Sequence, residues 1–283
     1  MYDIYDMNSV LISGVLFVSM VAAIQVGHRT GRINQGSANE SINAHVYAIQ
    51  ASLLGVLALL LGFTFSLALQ RFDSRSIALV DEANAIGTTY LRAQLLPKSV
   101  RGEVRKLLQN YVELRVQEDA ISLNDKAKRQ ILLAESNQVL DALWNYAQRA
   151  VEEDKSPVTT GLFIQSLNDS IDTYGRRIAE LNRHLPESIL FILYITFLLT
   201  GGVIGHSAGL AGHRPSFVTF ILVAMIVVLA FIIIDLDRPR RGLIRVDRSS
   251  LVNLKVAIDA SQAVGALPSV SEDILNHAVT GPS

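Results

Sequence analysis

Four stretches of this 283-residue chain contain no Asp, Glu, Lys, Arg or His, and they run over residues 9–26, 46–70, 188–205 and 216–234. A helix needs roughly 20 apolar residues to cross a hydrocarbon core of about 30 Å, because its backbone polar groups must be satisfied within the segment. Only 18% of the residues are charged, against about 25% in soluble domains. The sequence therefore predicts an all-α integral membrane protein with four transmembrane helices.

The long interval between the second and third spans is amphipathic, which predicts a cytoplasmic helical bundle there. The expected domains are 1–75 with the first two transmembrane helices, 76–185 for the cytoplasmic bundle, 186–235 with the third and fourth transmembrane helices, and 236–283 for a cytoplasmic C-terminal segment whose end is poorly ordered. The leader Met1–Asn8 carries two aspartates and no Lys or Arg. Since a signal peptide has a basic leader, the first span is interpreted as a retained helix.

The basic residues near the span ends predict the orientation. One side has Arg29, Arg32 and Arg214. The other side has a much larger set: Arg71, Arg75, Arg176, Arg177, Arg183, Arg238, Arg240, Arg241, Arg245, Arg248 and Lys255. The first span taken alone favours the opposite orientation, but the larger imbalance is expected to decide. Both termini and the central domain are predicted to be cytoplasmic.

The central domain has three segments with helical spacing. Lys98–Gln117 carries one apolar stripe, and Lys126–Val151 carries another. The inward residues expected in the second segment are Ile131, Val139, Leu143, Trp144 and Ala147. Ser156-Pro157 is interpreted as a helix start. A heptad-like row follows it and predicts a partner helix in the same chain or in a neighbouring one; its members are Leu167, Ile171, Tyr174, Ile178, Leu181 and Leu185.

Several chemistries have no support in the sequence. It contains no phosphate-binding glycine loop, nucleophile elbow or zinc motif, and no cysteine. We therefore expect neither an enzyme nor a cofactor or metal centre. A net charge of −1 gives no reason to expect a nucleic-acid partner. Asp235 and Asp237 are interpreted as parts of a salt-bridged turn at the membrane interface, with a cation site as the alternative.

The histidines near the predicted outer side are His28, His45, His206 and His213. Unrelated, solvent-exposed histidines are the favoured interpretation, and a pH-sensing or metal-binding cluster is the alternative.

The second span is the candidate for a pore-lining helix. Gly55, Leu59, Phe63 and Ser66 fall near one stripe, on which small residues permit close helix approach and bulky apolar residues can gate by dewetting. Packing against the other spans is the alternative. The four windows hold no ionisable residue, which disfavours a proton-coupled carrier. In the third span, Gly201, Gly205 and Gly209 have the spacing of a close helix contact.

Three stretches resemble a bacterial family described as bestrophin-like. They are Leu60-Leu61-Gly62-Phe63, Arg71-Phe72-Asp73-Ser74-Arg75 and Asp81 to Arg92. The exit from the last span, Asp235-Leu236-Asp237-Arg238-Pro239-Arg240-Arg241-Gly242, is similar to the family's as well. With the four-span layout, the resemblance covers nearly the whole chain.

The resemblance implies a fold and a function. True bestrophins are pentameric ion channels with four spans per subunit, cytoplasmic termini and a large helical cytosolic region, and their second span lines a hydrophobic neck. In that helix a phenylalanine follows leucine-glycine, two apolar neck positions precede it at four-residue steps, and an arginine lies eight residues later. Carried over, these positions become Phe63, Leu59, Gly55 and Arg71. Gly55 and Leu59 would give a wider neck than phenylalanine rings.

The leading expectation is thus a homo-oligomeric, pentameric ion channel of a bacterial inner membrane, with lipid, inorganic ions and copies of itself as partners. The expected cytoplasmic motif consists of Arg71, Glu82, Asn84, Asp235, Asp237 and Arg238. Animal bestrophins hold calcium with an acidic run after the last span; here two aspartates stand among arginines, so calcium gating is not expected. The alternative is a non-conducting membrane scaffold or sensor whose cytoplasmic helices bind a partner.

Overall fold

A computed structural model describes residues 8–35, 40–121, 125–238 and 243–265. In these residues the chain forms helices and no strand. The helices are α1 Ser9–Ile33, α2 Glu40–Arg92, α3 Lys98–Ala120, α4 Lys126–Glu153, α5 Thr160–Leu181, α6 Glu187–Leu210, α7 Phe217–Leu236 and α8 Ser249–Gly265. Four of them, α1, α2, α6 and α7, are long and apolar enough to cross a membrane. The all-α class and the four apolar helices are confirmed.

The chain divides into two compact units, which are described separately. The first unit comprises Met1–Arg75 and Glu180–Val246, and so contains α1, the beginning of α2, α6 and α7. The second unit comprises Ser76–Ala179 and Asp247–Ser283, and so contains the rest of α2, α3, α4, nearly all of α5 and α8. Predicted features at Met1–Met7, at Arg240 and Arg241, and in 266–283 lie outside the described residues.

Close contact between α1 and α6 dominates the packing of the first unit. A Cβ atom added to Gly205 would overlap the carbonyl of Ile24, and one added to Gly209 would overlap the carbonyl of His28. Gly27 and Gly31 of α1 are equally close to the backbone of α6. Small residues permit this approach, and the close backbones supply the van der Waals contact that drives association in lipid. The predicted packing role of the α6 glycines is confirmed.

The apolar core of the first unit joins all four of its helices. Its buried members are Leu16, Met20, Ile24, Leu57, Leu61, Ala68, Leu185, Leu193, Phe197, Val223, Ile226, Val227, Ala230, Ile233 and Leu236. The contribution of α2 comes from Leu57, Leu61 and Ala68, which lie on one side of that helix at spacings of four and seven residues. The other side of α2 is left outside the core.

The helix α2 is longer than the predicted span over 46–70. It continues without interruption to Arg92 and ends in a short 3₁₀ turn, Ala93–Leu95, just before Pro97. The hydrophobic window over 46–70 identifies the part of the helix that is apolar enough to lie in lipid. This window contains no residue pattern that would end the helix. Such a signal arrives only at Pro97, since the residue before a proline is disfavoured in helical conformation.

The second unit corrects two details predicted for its helices. Ile131 was expected to point inward, but it is 58% exposed, and Leu132 is buried in its place. The buried positions of α4 follow Leu132 rather than Ile131, so the predicted stripe was wrong by one residue at its start. The helix after Ser156-Pro157 begins only at Thr160. Asp154 holds the intervening turn, because its carboxylate accepts hydrogen bonds from the Ser156 N–H and the Thr159 hydroxyl.

Candidate functional site

The proposed neck residues lie on a face of α2 that the first unit leaves open. Leu59 is 59% exposed and Phe63 is 61% exposed, and Gly55 and Ser66 are exposed as well. Among the described residues no heavy atom lies within 4 Å of a Cβ atom added to Gly55, in contrast with Gly201, Gly205 and Gly209 of α6. This face therefore does not pack against the other spans of the same chain. We call Gly55, Leu59, Phe63 and Ser66 the open stripe of α2.

The open stripe continues beyond the apolar window. Gln70 and Asp73 are exposed, and they follow Ser66 by four and seven residues. With 3.6 residues per turn, both lie within about 40° of Ser66 around the helix axis. In the part of α2 that belongs to the second unit, Asn84 of the predicted cytoplasmic motif is exposed too.

Arg75 anchors α2 at the point where the first unit ends, through hydrogen bonds to backbone carbonyls. It is 3% exposed, and its guanidinium donates hydrogen bonds to the backbone carbonyls of Glu180, Arg183, Leu236 and Asp237 at 3.2, 2.6, 3.1 and 3.0 Å. One side chain thereby joins α2 to the end of α7 and to the chain that leads into α6. Arg71, one turn earlier, is half-buried.

The residues at the end of the fourth span, Asp235, Asp237 and Arg238, are buried, and their hydrogen bonds hold neighbouring segments of the first unit together. The Asp237 carboxylate accepts the Leu185 N–H at 2.9 Å, and the Asp235 carboxylate accepts the Ile244 N–H at 2.9 Å. Arg238 donates to the Ser9 hydroxyl at 3.2 Å. Burial raises the pKa of Asp237, although the Leu185 N–H and the charge of Arg75 act in the opposite direction.

Glu82 lies in the interior of the second unit and not on its surface. Arg115 Nε donates a hydrogen bond to the Glu82 carboxylate at 2.6 Å, and Arg177 forms a second ion pair with the same carboxylate. Neither Glu82 nor Arg115 is exposed. Arg177 also binds Asp119 at 2.5 Å, and Arg115 also binds Glu118. Three helices, α2, α3 and α5, are thus joined by buried ion pairs.

Two further groups complete this charged cluster. Arg248, just before α8, lies 3.2 Å from the Asp119 carboxylate. The Arg115 guanidinium stacks over the ring of Tyr174, 4.4 Å from its centre. Three carboxylates and three guanidinium groups therefore balance one another. Beside them, burial raises the pKa of the Tyr111 phenol.

Sequence patterns did not single out Arg75, Arg115, Asp119 or Arg177 as interior residues. Charged residues on an amphipathic helix usually face solvent, and Arg75 and Arg177 entered the sequence analysis only as basic residues near the ends of the spans. A signal was nevertheless present in α3, where Arg115 follows the buried Leu108 by seven residues and so continues the apolar stripe. A charge in phase with a buried stripe indicates a paired interior charge, because an unpaired one would be very costly.

The four histidines are not assembled into a metal site. His206 Nδ1 lies 3.2 Å from the Thr30 hydroxyl, while His45 and His213 are exposed and His28 is half-buried. Among the described residues no group of three or more His, Asp or Glu side chains could hold a metal ion, and this includes Asp235 and Asp237.

Comparisons with known proteins agree on one family. A family model described as a bestrophin-like domain matches residues 14–251. No curated protein sequence matches the chain significantly.

Solved structures give the same fold. Two crystal structures of variants of a bacterial bestrophin homologue from Klebsiella pneumoniae superpose with TM-scores of 0.65 and 0.64, at 14% and 16% sequence identity. The alignments cover 90% and 87% of this chain and 98% of each homologue chain. A crystal structure described only as a membrane protein variant gives a TM-score of 0.64 at 17% identity, covering 90% of this chain and 98% of that one.

Proposed function

The chain belongs to the bestrophin-like family, and from this premise we propose that it is an ion channel. In this proposal several copies surround a central axis, five as in true bestrophins, and α2 of each copy borders the conducting path. The protein resides in a bacterial inner membrane with both termini and the second unit on the cytoplasmic side. That orientation is supported by the excess of Lys and Arg at the corresponding span ends.

The observation that carries the proposal is the open stripe of α2. A helix that crosses lipid next to three others normally buries its small residues against them. Here no described atom lies within 4 Å of a Cβ atom added to Gly55, and Leu59 and Phe63 are exposed. A stripe of mixed small and bulky residues that its own subunit leaves uncovered fits a surface used by the assembly.

The neck in this proposal is apolar. The Phe63 side chains form the narrowest ring of the neck, and the Leu59 side chains form the next ring. The neck becomes wider toward its outer end, at Gly55. Bulky apolar rings at such a constriction gate conduction by dewetting. The charged cluster around Glu82 holds the second unit together and is assigned no part in conduction.

Recording from the purified protein in planar lipid bilayers tests the proposal. The expected result is single-channel current, and Phe63→Ala should increase conductance or open probability because a smaller ring wets more readily. Phe191→Ala is the matched control: Phe191 lies on α6 and is 64% exposed, nearly the same as Phe63. This control should leave the current unchanged.

Two results contradict the proposal. One is the absence of current from assembled protein under every ionic condition; the other is equal currents from the wild type and Phe63→Ala. An image of the assembly along the membrane normal separates the channel from a non-conducting scaffold. The channel requires an axial opening bordered by α2, whereas a scaffold has no continuous opening and should retain a stoichiometric cytosolic protein.

A further inference from the structure

Asp73 occupies the open side of α2. It follows Leu59 by fourteen residues and Ser66 by seven, which places it within about 40° of both around the helix axis. The side chain is exposed. Among the described residues it makes no ion pair or side-chain hydrogen bond, in contrast to the buried aspartates of the same unit.

The neighbouring positive charges are directed away from Asp73. Arg75 is buried and uses its guanidinium on four backbone carbonyls. Arg71 precedes Asp73 by two residues and therefore lies about 160° away from it around the axis. Around the axis Arg71 lies about 120° from Leu59 and about 140° from Ser66, and Arg75 lies farther still, so neither arginine is on the side of the helix that those two residues share with Asp73.

Charge is scarce along this part of α2. Between Ser41 and Val80, Asp, Glu, Lys and Arg are represented only by Arg71, Asp73 and Arg75. Since the two arginines are directed elsewhere, the open side of the helix carries one formal charge in this interval, and that charge is negative. In a symmetric assembly every copy contributes the same charge at the same height.

We propose that Asp73 forms a ring of carboxylates at the inner end of the neck and makes the channel prefer cations to anions. This inference rests on the proposed channel function and assigns it a substrate class. The ring lies about 15 Å along the helix from Phe63, since ten residues separate them. Rings of Asp or Glu side chains raise the local concentration of cations and exclude anions, as in other cation pathways.

The test measures reversal potentials in planar bilayers under a NaCl gradient, with wild type, Asp73→Asn and Asp73→Lys. The wild-type potential should lie near the sodium equilibrium potential. Asp73→Asn should lower the sodium-to-chloride permeability ratio roughly tenfold, and Asp73→Lys should lower it further, because each ring charge acts with opposite sign on the two ions. Asp141→Asn, an exposed aspartate on α4, is the matched control and should not shift the potential.

The possible outcomes separate the two proposals. No current from the wild type overturns the channel function, and the inference on selectivity with it. Current with the same reversal potential in wild type and both Asp73 variants overturns the selectivity role alone. Size-exclusion chromatography with light scattering accompanies each variant. If Asp73→Asn dissociates the assembly and the channels that remain keep the wild-type potential, Asp73 is an intersubunit contact and the selectivity role is wrong.

Discussion

In the second unit, Nε of Arg115 lies 2.6 Å from the carboxylate of Glu82, and neither side chain is exposed to solvent. Arg177 binds the same carboxylate from α5. A buried ion pair adds little net stability over an apolar core of the same shape. Removing the Glu82 charge is expected to be strongly destabilising, because it leaves three guanidinium groups against two carboxylates and so one positive charge without compensation.

Glu82→Gln should therefore destabilise the protein strongly. The neutral amide leaves Arg115 and Arg177 without their shared counterion, and we expect the free energy of unfolding to fall by ~3–5 kcal/mol. Denaturant unfolding of the purified protein followed by circular dichroism measures this change. Glu103→Gln is the control: Glu103 pairs with Lys106 on the surface, with half or more of each side chain exposed. Equal stabilities of the two variants would contradict a structural role for the cluster.

Arg75→Lys should destabilise the first unit although it keeps the charge. A lysine ammonium cannot reach the four carbonyls that the planar guanidinium holds. The bonds to Leu236 and Asp237 are buried, and each of these carbonyls left without a donor costs about 1–3 kcal/mol, so a clear fall in Tm is expected. Arg183→Lys provides the comparison, because the Arg183 side chain is 68% exposed. A Tm of Arg75→Lys equal to that of Arg183→Lys would show that the carbonyl contacts add nothing.

Gly205→Ala should disrupt the contact between α1 and α6. The added methyl group would meet the backbone of Ile24, which cannot yield as a flexible side chain would. The two helices must separate, and we expect a lower Tm together with less folded protein in detergent. Gly14→Ala is a matched change in α1, where a Cβ atom meets nothing within 4 Å. If both variants melt at the same temperature, the close approach is not important for stability.

Asp237→Asn should alter how stability depends on pH. The pKa of Asp237 is raised by burial, so between about pH 3.9, the ordinary value, and the raised value, the folded protein binds more protons here than the unfolded chain does. The contribution of this residue to the free energy of unfolding therefore falls as pH rises through that interval. The asparagine variant can still accept the Leu185 N–H but lacks this dependence.

Tm measured against pH for the wild type and Asp237→Asn provides the comparison. The stability of the wild type relative to the variant should decrease with rising pH. A parallel pair of profiles would contradict the raised pKa.

The sequence was most informative where lipid imposes a simple requirement. The four charge-free windows predicted four apolar helices, and the spacing of Gly201, Gly205 and Gly209 predicted a close contact. It was least informative where charges enter the interior. Glu82 was expected in a cytoplasmic motif, yet its partners come from α3 and α5, far away in sequence, and no local pattern specifies which of many charged residues will meet. The end of α2 was missed for a related reason, because hydrophobicity marks a membrane segment and not the end of a helix.

The openness of Gly55, Leu59 and Phe63 also has an evolutionary consequence. These residues are not part of the apolar core of the first unit, whereas the glycines between α1 and α6 contribute directly to its packing. Substitutions along this face of α2 should therefore change the free energy of folding little, whereas substitutions between α1 and α6 should reduce stability strongly. If α2 borders the conducting path as proposed, selection can change the width and charge of that path without first compensating for lost stability. New ion preferences can then arise in one or a few mutational steps.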